Sequence, residues 1–441
     1  MKRPHHPSWI AVLTRMVRQL WFTALLLVPA CAAPTEYVVE TTSDFPDANP
    51  GDHACAARDN LCTLRAAIEE TNTHPAGDAV RIVVPAGTYD LKGELFLTHD
   101  AVTVRGDGRD TTIIRQTQSG ERVFTITTSG NVWIGQVTLR DGSADDSGGA
   151  IRFDGAGSRV LTLSDCRITS NYAGFLGGGV YAQGTNGNLN VFNCIVQDND
   201  ATGAGCTFGG GQSGGGGIMV NGPTLTLFRS EVRDNCGSNG GGVRIDGGVD
   251  HLILQSTIAG NGAATRAGGL MMVDAGGRVE DTTIAENTGP EAGGVFIFGG
   301  TSVEIRSVTI AGNSGLGTAD GPTGAGGILA TNGAPVLLRN TIIAGNTGVP
   351  LECSGELFSI GGNFIGTLES ACAFAASGDD VLNGGSPGLG ALTPGTGPTR
   401  YMLPSGNSPL VNAGVPGCGA TDQRGQPAPV GACDIGAVER Q

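Results

Sequence analysis

Acidic residues and one arginine stand beside asparagines that recur along the chain. Asp198 precedes Asn199, Asp234 precedes Asn235, and Arg233 is the residue before Asp234. A β-eliminating cleavage of an acidic polysaccharide needs a basic side chain, such as arginine, and carboxylates that hold Ca²⁺. A base works only within hydrogen-bond reach of the proton that it removes. Asp198, Asp234 and Arg233 are therefore candidate catalytic residues if the fold brings them into one groove.

Three further acids are candidate metal ligands. Asp145 and Asp146 lie in an inserted loop, and Asp200 follows one of the recurring asparagines. Carboxylate oxygens are ligands that Ca²⁺ prefers in proteins, so a flank lined by these acids could bind this ion. Solvated turn acids in an acidic protein are the alternative, and we favour that alternative. Beyond Ca²⁺, the sequence predicts no cofactor.

Other chemistries lack the residues that they need. The histidines after the N-terminal segment are His53, His74, His99 and His251, and none stands in the Gly-His-Gly pattern of a polygalacturonase-type hydrolase. No Cys-x-x-Cys pair and no histidine cluster appears in the sequence, so a zinc site is not expected. We therefore predict a protein without catalysis, and a Ca²⁺-dependent polysaccharide lyase is the alternative.

The charge balance excludes a nucleic-acid partner. Residues 1–30 hold four basic side chains and no acid, which leaves 22 basic and 41 acidic side chains and a net charge of −19 for the remainder. Nucleic-acid binding depends on Lys and Arg side chains that neutralise phosphates. Glycine is abundant, at 75 of 441 residues, but the three-residue period of collagen is absent. The hydrophobic share of 39% is sufficient for a packed core, so a disordered chain is not expected.

Residues 1–32 are predicted to be an export signal. A basic segment that ends at Arg18 continues into the apolar run LWFTALLLV at residues 20–28, which is too short to span a bilayer. The signal ends either at a small-residue cleavage site or at a bacterial lipobox in which Cys31 is lipidated; Pro29 fits the lipobox poorly. We expect an exported monomer, extracellular or at the bacterial outer-membrane surface, whose contact with a membrane is limited to this lipid.

Ten cysteines follow Cys31, and an even number in an exported chain predicts disulfides. Cys166 and Cys194 occupy the same slot in neighbouring repeats, either as buried thiols or as a disulfide, and thiols are favoured. The other candidate pairs are Cys55 with Cys62, Cys206 with Cys236, Cys353 with Cys372, and Cys418 with Cys433.

An internal repeat organises most of the chain. Its marker is an asparagine that recurs at intervals of 26 to 36 residues. The residues three and eight positions before each marker are aliphatic, and a glycine pair with an apolar residue follows each loop. The markers are Asn171, Asn199, Asn235, Asn261, Asn287, Asn313 and Asn346.

This pattern predicts three short strands and three corners per repeat, which is one coil of a parallel β-helix. A single coil cannot bury its inner face, but stacked coils share a continuous core. Asparagine suits the corner because it tolerates left-handed backbone angles, and its amide can bond the same amide in the next coil. We therefore interpret the seven asparagines as a structural ladder, with roughly ten coils stacked about 4.8 Å apart.

Three segments resemble known families. Residues 41–72 contain the signature CTLRAAI at 62–68 and resemble the bacterial CSLREA-type N-terminal domain, from which the second and fifth signature positions differ. Residues 408–439 resemble the choice-of-anchor Q domain. The Gly-Gly-Ala-Ile at 148–151 and the Ile-x-x-Asn pattern are similar to repeats of polymorphic outer membrane proteins, although phenylalanine is usual where this chain has Ile or Val.

The resemblances imply a right-handed parallel β-helix of the pectin-lyase-like type, displayed outside a bacterial cell. The domains expected are the signal at 1–32, an N-terminal cap at 33–78, β-helix repeats at 79–348, and final coils with a C-terminal cap at 349–441. In the C-terminal cap, Arg424 is expected to pair with Asp434 or Glu439. The function expected is adhesive, ligand-binding or structural, with surface glycans or other envelope components as partners.

Overall fold

The computed structural model describes residues 33–128, 130–155, 157–202, 206, 214–317, 324–333, 335–395, 397–428 and 433–440. The predicted signal and Cys31 lie outside the described residues.

Each repeat folds into a coil of three short strands. In one coil, strand Val180–Gln183 is followed by Asn188–Phe192 and then by Ile195–Gln197. Leu189 and Val191 are fully buried, whereas the residues that alternate with them are partly exposed. Because successive side chains of a strand point to opposite faces, the aliphatic positions line the interior of the coil.

Stacked coils form three parallel faces, numbered here as sheets 1, 2 and 3 in the order in which each coil visits them. Sheet 1 contains Leu95–Leu97, Phe124–Ile126, Ile151–Asp154, Val180–Gln183, Ile218–Asn221, Val243–Asp246, Leu270–Val273, Val295–Phe298 and Ile328–Thr331. Sheet 2 contains Thr35–Val38, Val80–Val84, Val102–Gly106, Asn131–Gly135, Val160–Ser164, Asn188–Phe192, Thr224–Phe228, His251–Leu254, Val336–Arg339 and Cys372–Ala375. Sheet 3 contains Gly87–Leu91, Thr112–Gln116, Thr138–Arg140, Arg167–Thr169, Ile195–Gln197, Glu231–Arg233, Thr257–Ala259, Ile342–Ala344, Phe364–Ile365 and Val381–Leu382.

Some strands lie outside this simple scheme. Three long strands run through a corner and belong to two sheets: Gly277–Ala285, Val303–Ala311 and Cys353–Ser359. Short strands follow the asparagine corner: Ser143–Ala144, Tyr172–Ala173, Cys236–Gly237, Gly262–Ala263, Thr288–Gly289 and Ser314–Gly315. Near the C-terminus, Thr393–Pro394 pairs antiparallel with Arg400–Tyr401.

The register of the sheets follows the repeat. In sheet 2, Leu163 pairs with Val191, and Val191 pairs with Leu227. All three are fully buried, so the aliphatic positions stack into continuous interior rows. The predicted parallel β-helix is confirmed.

An N-terminal helix, α1 (Leu64–Thr71), packs at the start of the solenoid. The Thr63 hydroxyl caps it by accepting a hydrogen bond from the Ala66 N–H at 3.0 Å, as Thr does at a helix N-terminus. Leu64, Ala67 and Ile68 are buried in the main core, which is the inward face expected from the sequence. Strand Thr35–Val38 pairs with Val80–Val84, so the N-terminal segment also supplies a strand of sheet 2.

The described residues of the C-terminal segment, 385–395, 397–428 and 433–440, run back along the outside of the solenoid and are called the strap below. The strap lies over sheet 3 and over the corner between sheets 2 and 3. The Gln423 amide donates to the Ser256 carbonyl at 3.0 Å, and Ala437 N–H donates to Thr309 Oγ1 at 3.1 Å. The outward row of sheet 3 is consequently at most 5% exposed from Glu231 to Phe364.

Five disulfides join the ten cysteines of the described residues: Cys55–Cys62, Cys166–Cys194, Cys206–Cys236, Cys353–Cys372 and Cys418–Cys433. The second of these replaces the thiols favoured from the sequence, because stacking in neighbouring coils sets the two Cα atoms 4.6 Å apart, within disulfide range. Disulfides persist in oxidising compartments, so the five bonds suggest an extracellular or exported protein. Within the described ranges, no helix has the length and apolar character that a bilayer crossing requires.

Candidate functional site

The recurring asparagines form a hydrogen-bonded ladder inside the solenoid. Asn261 Nδ2 donates to Asn287 Oδ1 at 2.9 Å and to the Val232 carbonyl at 2.9 Å. Its Oδ1 accepts from the N–H and the Nδ2 of Asn235, both at 3.0 Å. The same bonds link all seven asparagines from Asn171 to Asn346. The side-chain amides form hydrogen bonds with the backbone and with each other, so they are not expected to bind a ligand.

The ladder has a distinct group at each end. Gly142 N–H donates to Asn171 Oδ1 at 2.9 Å. At the other end, Glu352 accepts from Asn346 Nδ2 at 2.7 Å and from Gly345 N–H at 3.0 Å. Burial raises the pKa of the Glu352 carboxyl, although these donors oppose the shift.

The candidate catalytic residues meet at one corner of neighbouring coils. Arg233 Nη1 donates to Asp234 Oδ2 at 2.5 Å, and its Nη2 donates to Gln197. Gln197 Nε2 in turn donates to Asp198 at 2.8 Å. The fold therefore brings the three residues together, but the guanidinium is engaged by acceptors of the protein itself.

A fourth residue at this corner was missed in the sequence. Glu231 is 4% exposed, and its carboxylate pairs with Arg400 of the strap and lies 3.5 Å from Arg233 Nε. Burial raises the pKa of the Glu231 carboxyl, and Arg400 opposes the shift. The strap therefore contacts sheet 3 at this corner through the ion pair between Arg400 and Glu231. Because the two residues are far apart in the chain, no local sequence pattern indicates this contact.

The three candidate Ca²⁺ ligands do not converge. Asp146 is paired with Arg122 and, at 2.7 Å, with Arg152, which occupies the carboxylate with cations of the protein. Asp200 Oδ1 accepts from the hydroxyl of Thr202 at 2.6 Å. Among the described residues, the groups of His, Cys, Asp and Glu that lie close enough to share an ion include neither these two acids nor Asp145.

Polar side chains follow the outer surface of sheet 1 in two adjacent rows. Sheet register places Arg152, Tyr181 and Arg244 in one row, and Asp154, Gln183, Asn221 and Asp246 in the other. We call this surface the polar face, and its members are Arg152, Asp154, Tyr181, Gln183, Asn221, Arg244 and Asp246.

Hydrogen bonds hold the polar face in one arrangement. Gln183 Nε2 donates to Asp154 Oδ1 at 2.5 Å, and the Tyr181 hydroxyl donates to Gln183 Oε1 at 2.9 Å. Two coils further along, Arg244 makes a bidentate pair with Asp246 at 2.9 and 2.8 Å. Asn221 lies between the two groups and is exposed. Planar polar groups that are fixed in this way can bind a polar ligand without first losing rotamer freedom.

Exposed aromatic rings border the polar face. Phe96 occupies the row of Arg152, two coils before it, and is 57% exposed. Phe175 is 62% exposed, and its N–H donates to the carbonyl of Asp146 at 2.7 Å, next to Arg152. The same row is apolar and buried at Met219, between Tyr181 and Arg244. It is apolar and buried again beyond Arg244, at Met271 and Phe296.

A short sequence motif, Arg-x-Asp, could have indicated the polar face before the structure was known. It occurs as Arg152-Phe153-Asp154 and as Arg244-Ile245-Asp246, each after a glycine pair. Because the middle residue of each is buried, the arginine and the aspartate must share the outer surface of the strand. Arg244 lies on sheet 1 and pairs with Asp246 at 2.8 Å.

The strap contains a group of buried acids. Arg424 pairs with Asp422 at 2.7 Å and donates to the backbone carbonyl of Glu439. The expected pairing with the carboxylate of Asp434 or Glu439 is therefore wrong, since the nearer Asp422 occupies the guanidinium. Burial and the neighbouring acids raise the pKa of Glu439 to about 7.

Two histidines and a glutamate meet around helix α1, although the sequence indicated no zinc site. Ligand atoms of His53, Glu70 and His74 lie within 4.8 Å of one another. The three residues come from a loop, from helix α1 and from the turn after it, so their spacing in sequence did not reveal the cluster. Cys418, Cys433 and Glu439 form the other such group in the described ranges, but its cysteines are joined in a disulfide.

Comparison with known proteins supports the fold. A family model described as "Right handed beta helix region" matches residues 213–381, so the predicted right-handed β-helix is confirmed. No curated protein sequence matches the chain.

Solved structures of similar shape include enzymes that act on polysaccharides. Pectate lyase Pel9A is 14% identical with a TM-score of 0.46, and the match covers 93% of this chain and 97% of that one. The A-module of mannuronan C-5 epimerase AlgE4 from Azotobacter vinelandii is 16% identical with a TM-score of 0.48, covering 77% of this chain and 90% of that one. The catalytic domain of an α-1,3-glucanase in complex with nigerose is 13% identical with a TM-score of 0.34, covering 81% and 68%. Similarities at this level assign neither an activity nor a residue role to this chain.

Proposed function

We propose that the protein is an exported β-helix of the bacterial surface that binds an extended glycan along the polar face without cleaving it. The observation that carries the proposal is the hydrogen-bonded set of planar polar side chains on sheet 1. Asp154, Gln183 and Tyr181 are linked in one chain of bonds. Tyr181 is only 5% exposed, so it acts as a support that fixes the positions of Gln183 and Asp154 at the surface. A sugar chain presents hydroxyl groups to such a surface and apolar ring faces to exposed aromatic side chains.

The dimensions of the solenoid also favour a long ligand. Coils repeat about every 4.8 Å along the axis, so a row of side chains is a linear array of similar sites. The polar face extends across the four coils that contain Arg152, Tyr181, Asn221 and Arg244, and Phe96 lies two coils further. Loops on one side of a solenoid often border its binding surface, and the loop with Phe175 has this position.

Asn221→Ala and Phe96→Ala test the proposal. Both side chains are exposed, so their removal should leave the fold intact. We expect each variant to bind glycan about fivefold more weakly, since one hydrogen bond or a modest apolar contact contributes about 1 kcal/mol. Affinity electrophoresis against polyuronates and neutral glucans, with and without Ca²⁺, measures the effect. Asn190→Ala, on the outer surface of sheet 2, is the matched control and should bind as the parent does.

The alternative activity, a Ca²⁺-dependent polysaccharide lyase, has one observation in its favour. Arg233, Asp234 and Asp198 share a corner, as such a site would require. Unsaturated product absorbance during incubation with polyuronates would support the lyase and contradict binding without cleavage. If that absorbance appeared and survived Arg233→Ala and Asp234→Ala, the assignment to this corner would also be wrong. Equal glycan affinity of parent, Asn221→Ala and Phe96→Ala would refute the polar face as the binding surface.

A further inference from the structure

The N-terminal cap contains a buried carboxylate at an unfavourable position. Glu70 is 0% exposed and belongs to the last turn of helix α1, which has no basic residue. A helix C-terminus carries partial negative charge, so an anion there is destabilised. Among the ion pairs of the described residues, none involves Glu70. Its oxygens accept from the N–H groups of Gly51 and His53, each at 2.6 Å.

Two imidazoles stand beside this carboxylate. The ring centroids of His53 and His74 are 5.1 Å apart, and one ligand atom from each lies within 4.8 Å of the other and of Glu70. His53 is exposed, whereas His74 is 9% exposed. Glu70 and His74 therefore form the buried part of the cluster, and His53 forms the side that is open to solvent.

The second ring nitrogen of His74 already has a partner. The Tyr37 hydroxyl lies 2.8 Å from His74 Nε2, so Nδ1 is the ring nitrogen that would bind an ion. Metal-binding histidines are commonly oriented by such a bond to the other ring nitrogen. The neighbouring His99, whose Nε2 lies 2.7 Å from the carbonyl of Asp78, does not belong to the group whose ligand atoms lie within 4.8 Å of one another.

We infer that His53, Glu70 and His74 bind a divalent transition metal ion, with Zn²⁺ as the expected occupant. Two imidazole nitrogens and one carboxylate suit Zn²⁺ and similar ions, whereas Ca²⁺ requires oxygen ligands. Three protein ligands leave a fourth position for water, and the exposure of His53 makes the cluster accessible from solvent. The ion supplies the positive charge that the buried Glu70 lacks. It also connects the 51–53 loop to helix α1 and, through Tyr37, to the first strand of sheet 2.

Zinc titration of the metal-stripped full chain tests this inference. The parent is expected to bind one more equivalent of Zn²⁺ than His53→Ala, and the difference isolates this site because His5 and His6 of the N-terminal segment are present in both proteins. His53 is exposed, so the variant should fold, and an unchanged melting curve without metal would verify this. Tyr37→Phe should weaken Zn²⁺ binding about tenfold, in the range found for partners of ligating histidines.

Three readouts separate this site from nonspecific binding. Co²⁺ should give the visible absorption bands of a tetrahedral site in the parent and lose them in His53→Ala. His99→Ala, the matched control, should retain both Zn²⁺ binding and the Co²⁺ spectrum. Zn²⁺ should raise the melting temperature of the parent but not of His53→Ala, because an ion that binds only the folded chain stabilises it. Equal stoichiometry in parent and His53→Ala, or full displacement of Zn²⁺ by equimolar Ca²⁺, would overturn the inference.

Discussion

At the scale of single residues, burial of amides explains the most conspicuous pattern in the sequence. Each ladder asparagine is at most 4% exposed and satisfies backbone groups at a corner where the sheets are interrupted. Buried polar groups without partners are costly, so the same residue type is required in every coil. The paired glycines follow from the same geometry, because a Cβ at Gly242 would lie 2.8 Å from Asn261 Nδ2.

Asn261→Ala should destabilise the protein by about 3 kcal/mol. The variant leaves the Asn235 N–H without its acceptor and removes one bond each from Asn235 Nδ2, the Val232 carbonyl and Asn287 Oδ1. Asn287 Oδ1 keeps the bond from the backbone N–H of residue 261. A buried donor without a partner costs about 1–3 kcal/mol, and each further hydrogen bond lost costs about 1 kcal/mol. Guanidinium unfolding followed by circular dichroism measures the loss. Asn190→Ala, whose amide makes only a 3.4 Å bond to Thr162 Oγ1, should change stability by less than about 0.5 kcal/mol. Equal effects of the two substitutions would contradict a special role for the ladder.

Sequence reasoning succeeded where a contact repeats locally and failed where it does not. The asparagine slot was visible because its partners lie one repeat away and have the same identity. A second ladder occupies the position five residues before each asparagine. There the N–H of Cys194 donates to the Ser230 hydroxyl, and the N–H of Ser230 donates to the Ser256 hydroxyl. This ladder was not predicted, because the residue type at this position varies from coil to coil. The partners of Gln423 on the solenoid are 140 to 167 residues distant in the chain, so no local pattern could have indicated them.

At the scale of elements, the strap introduces acidic groups into a buried interface. Asp281, in the corner between sheets 2 and 3, is 5% exposed, and a Cβ at Gly419 would lie 3.2 Å from its Oδ2. Burial, followed by Glu280, Asp422 and Glu439, raises the pKa of Asp281 to about 8, with Arg278 opposing. Between about pH 4, the ordinary pKa of an aspartate, and pH 8, the Asp281 carboxyl is therefore protonated in the folded chain and ionised in the unfolded chain.

Asp281→Asn should stabilise the protein at pH 8 and have little effect at pH 4. A carboxyl with a raised pKa contributes stability that is complete below its unfolded pKa of about 4 and is lost as the pH rises towards the folded value. We expect the free energy of unfolding of the parent to fall between pH 4 and pH 8, by at most about 1.4 kcal/mol per pH unit for this group. The variant should show a shallower slope, measured by unfolding at several pH values. Glu304→Gln, which breaks the surface pair with Arg306, is the control and should keep the pH dependence of the parent. If the free energy of unfolding of Asp281→Asn changed with pH as steeply as that of the parent, the argument would be refuted.

At the scale of the whole molecule, the strap divides the solenoid into two parts. In the outward row of sheet 3, Glu231, Thr257 and Thr283 lie beneath the strap and are buried, whereas Arg167 and Ile195 are partly exposed. In a solenoid each coil contacts only its neighbours, so stability varies along the axis. The strap adds contacts that connect distant coils, and those coils should open together.

Gln423→Ala should loosen the strapped coils and leave the preceding coils unchanged. Its amide nitrogen bonds Ser256 O, Thr257 Oγ1 and Arg400 O at 2.9 to 3.0 Å, and its oxygen accepts from Thr283 Oγ1 at 2.6 Å. Loss of about 2 kcal/mol from these bonds should accelerate amide hydrogen exchange about thirtyfold in strand Thr257–Ala259.

Exchange in strand Arg167–Thr169, which the strap does not cover, should stay the same in Gln423→Ala. Gln118→Ala removes an exposed glutamine and should alter neither strand. Acceleration of equal size in both strands would mean that the solenoid opens as one unit, because a strap that acts locally cannot weaken coils that it does not contact.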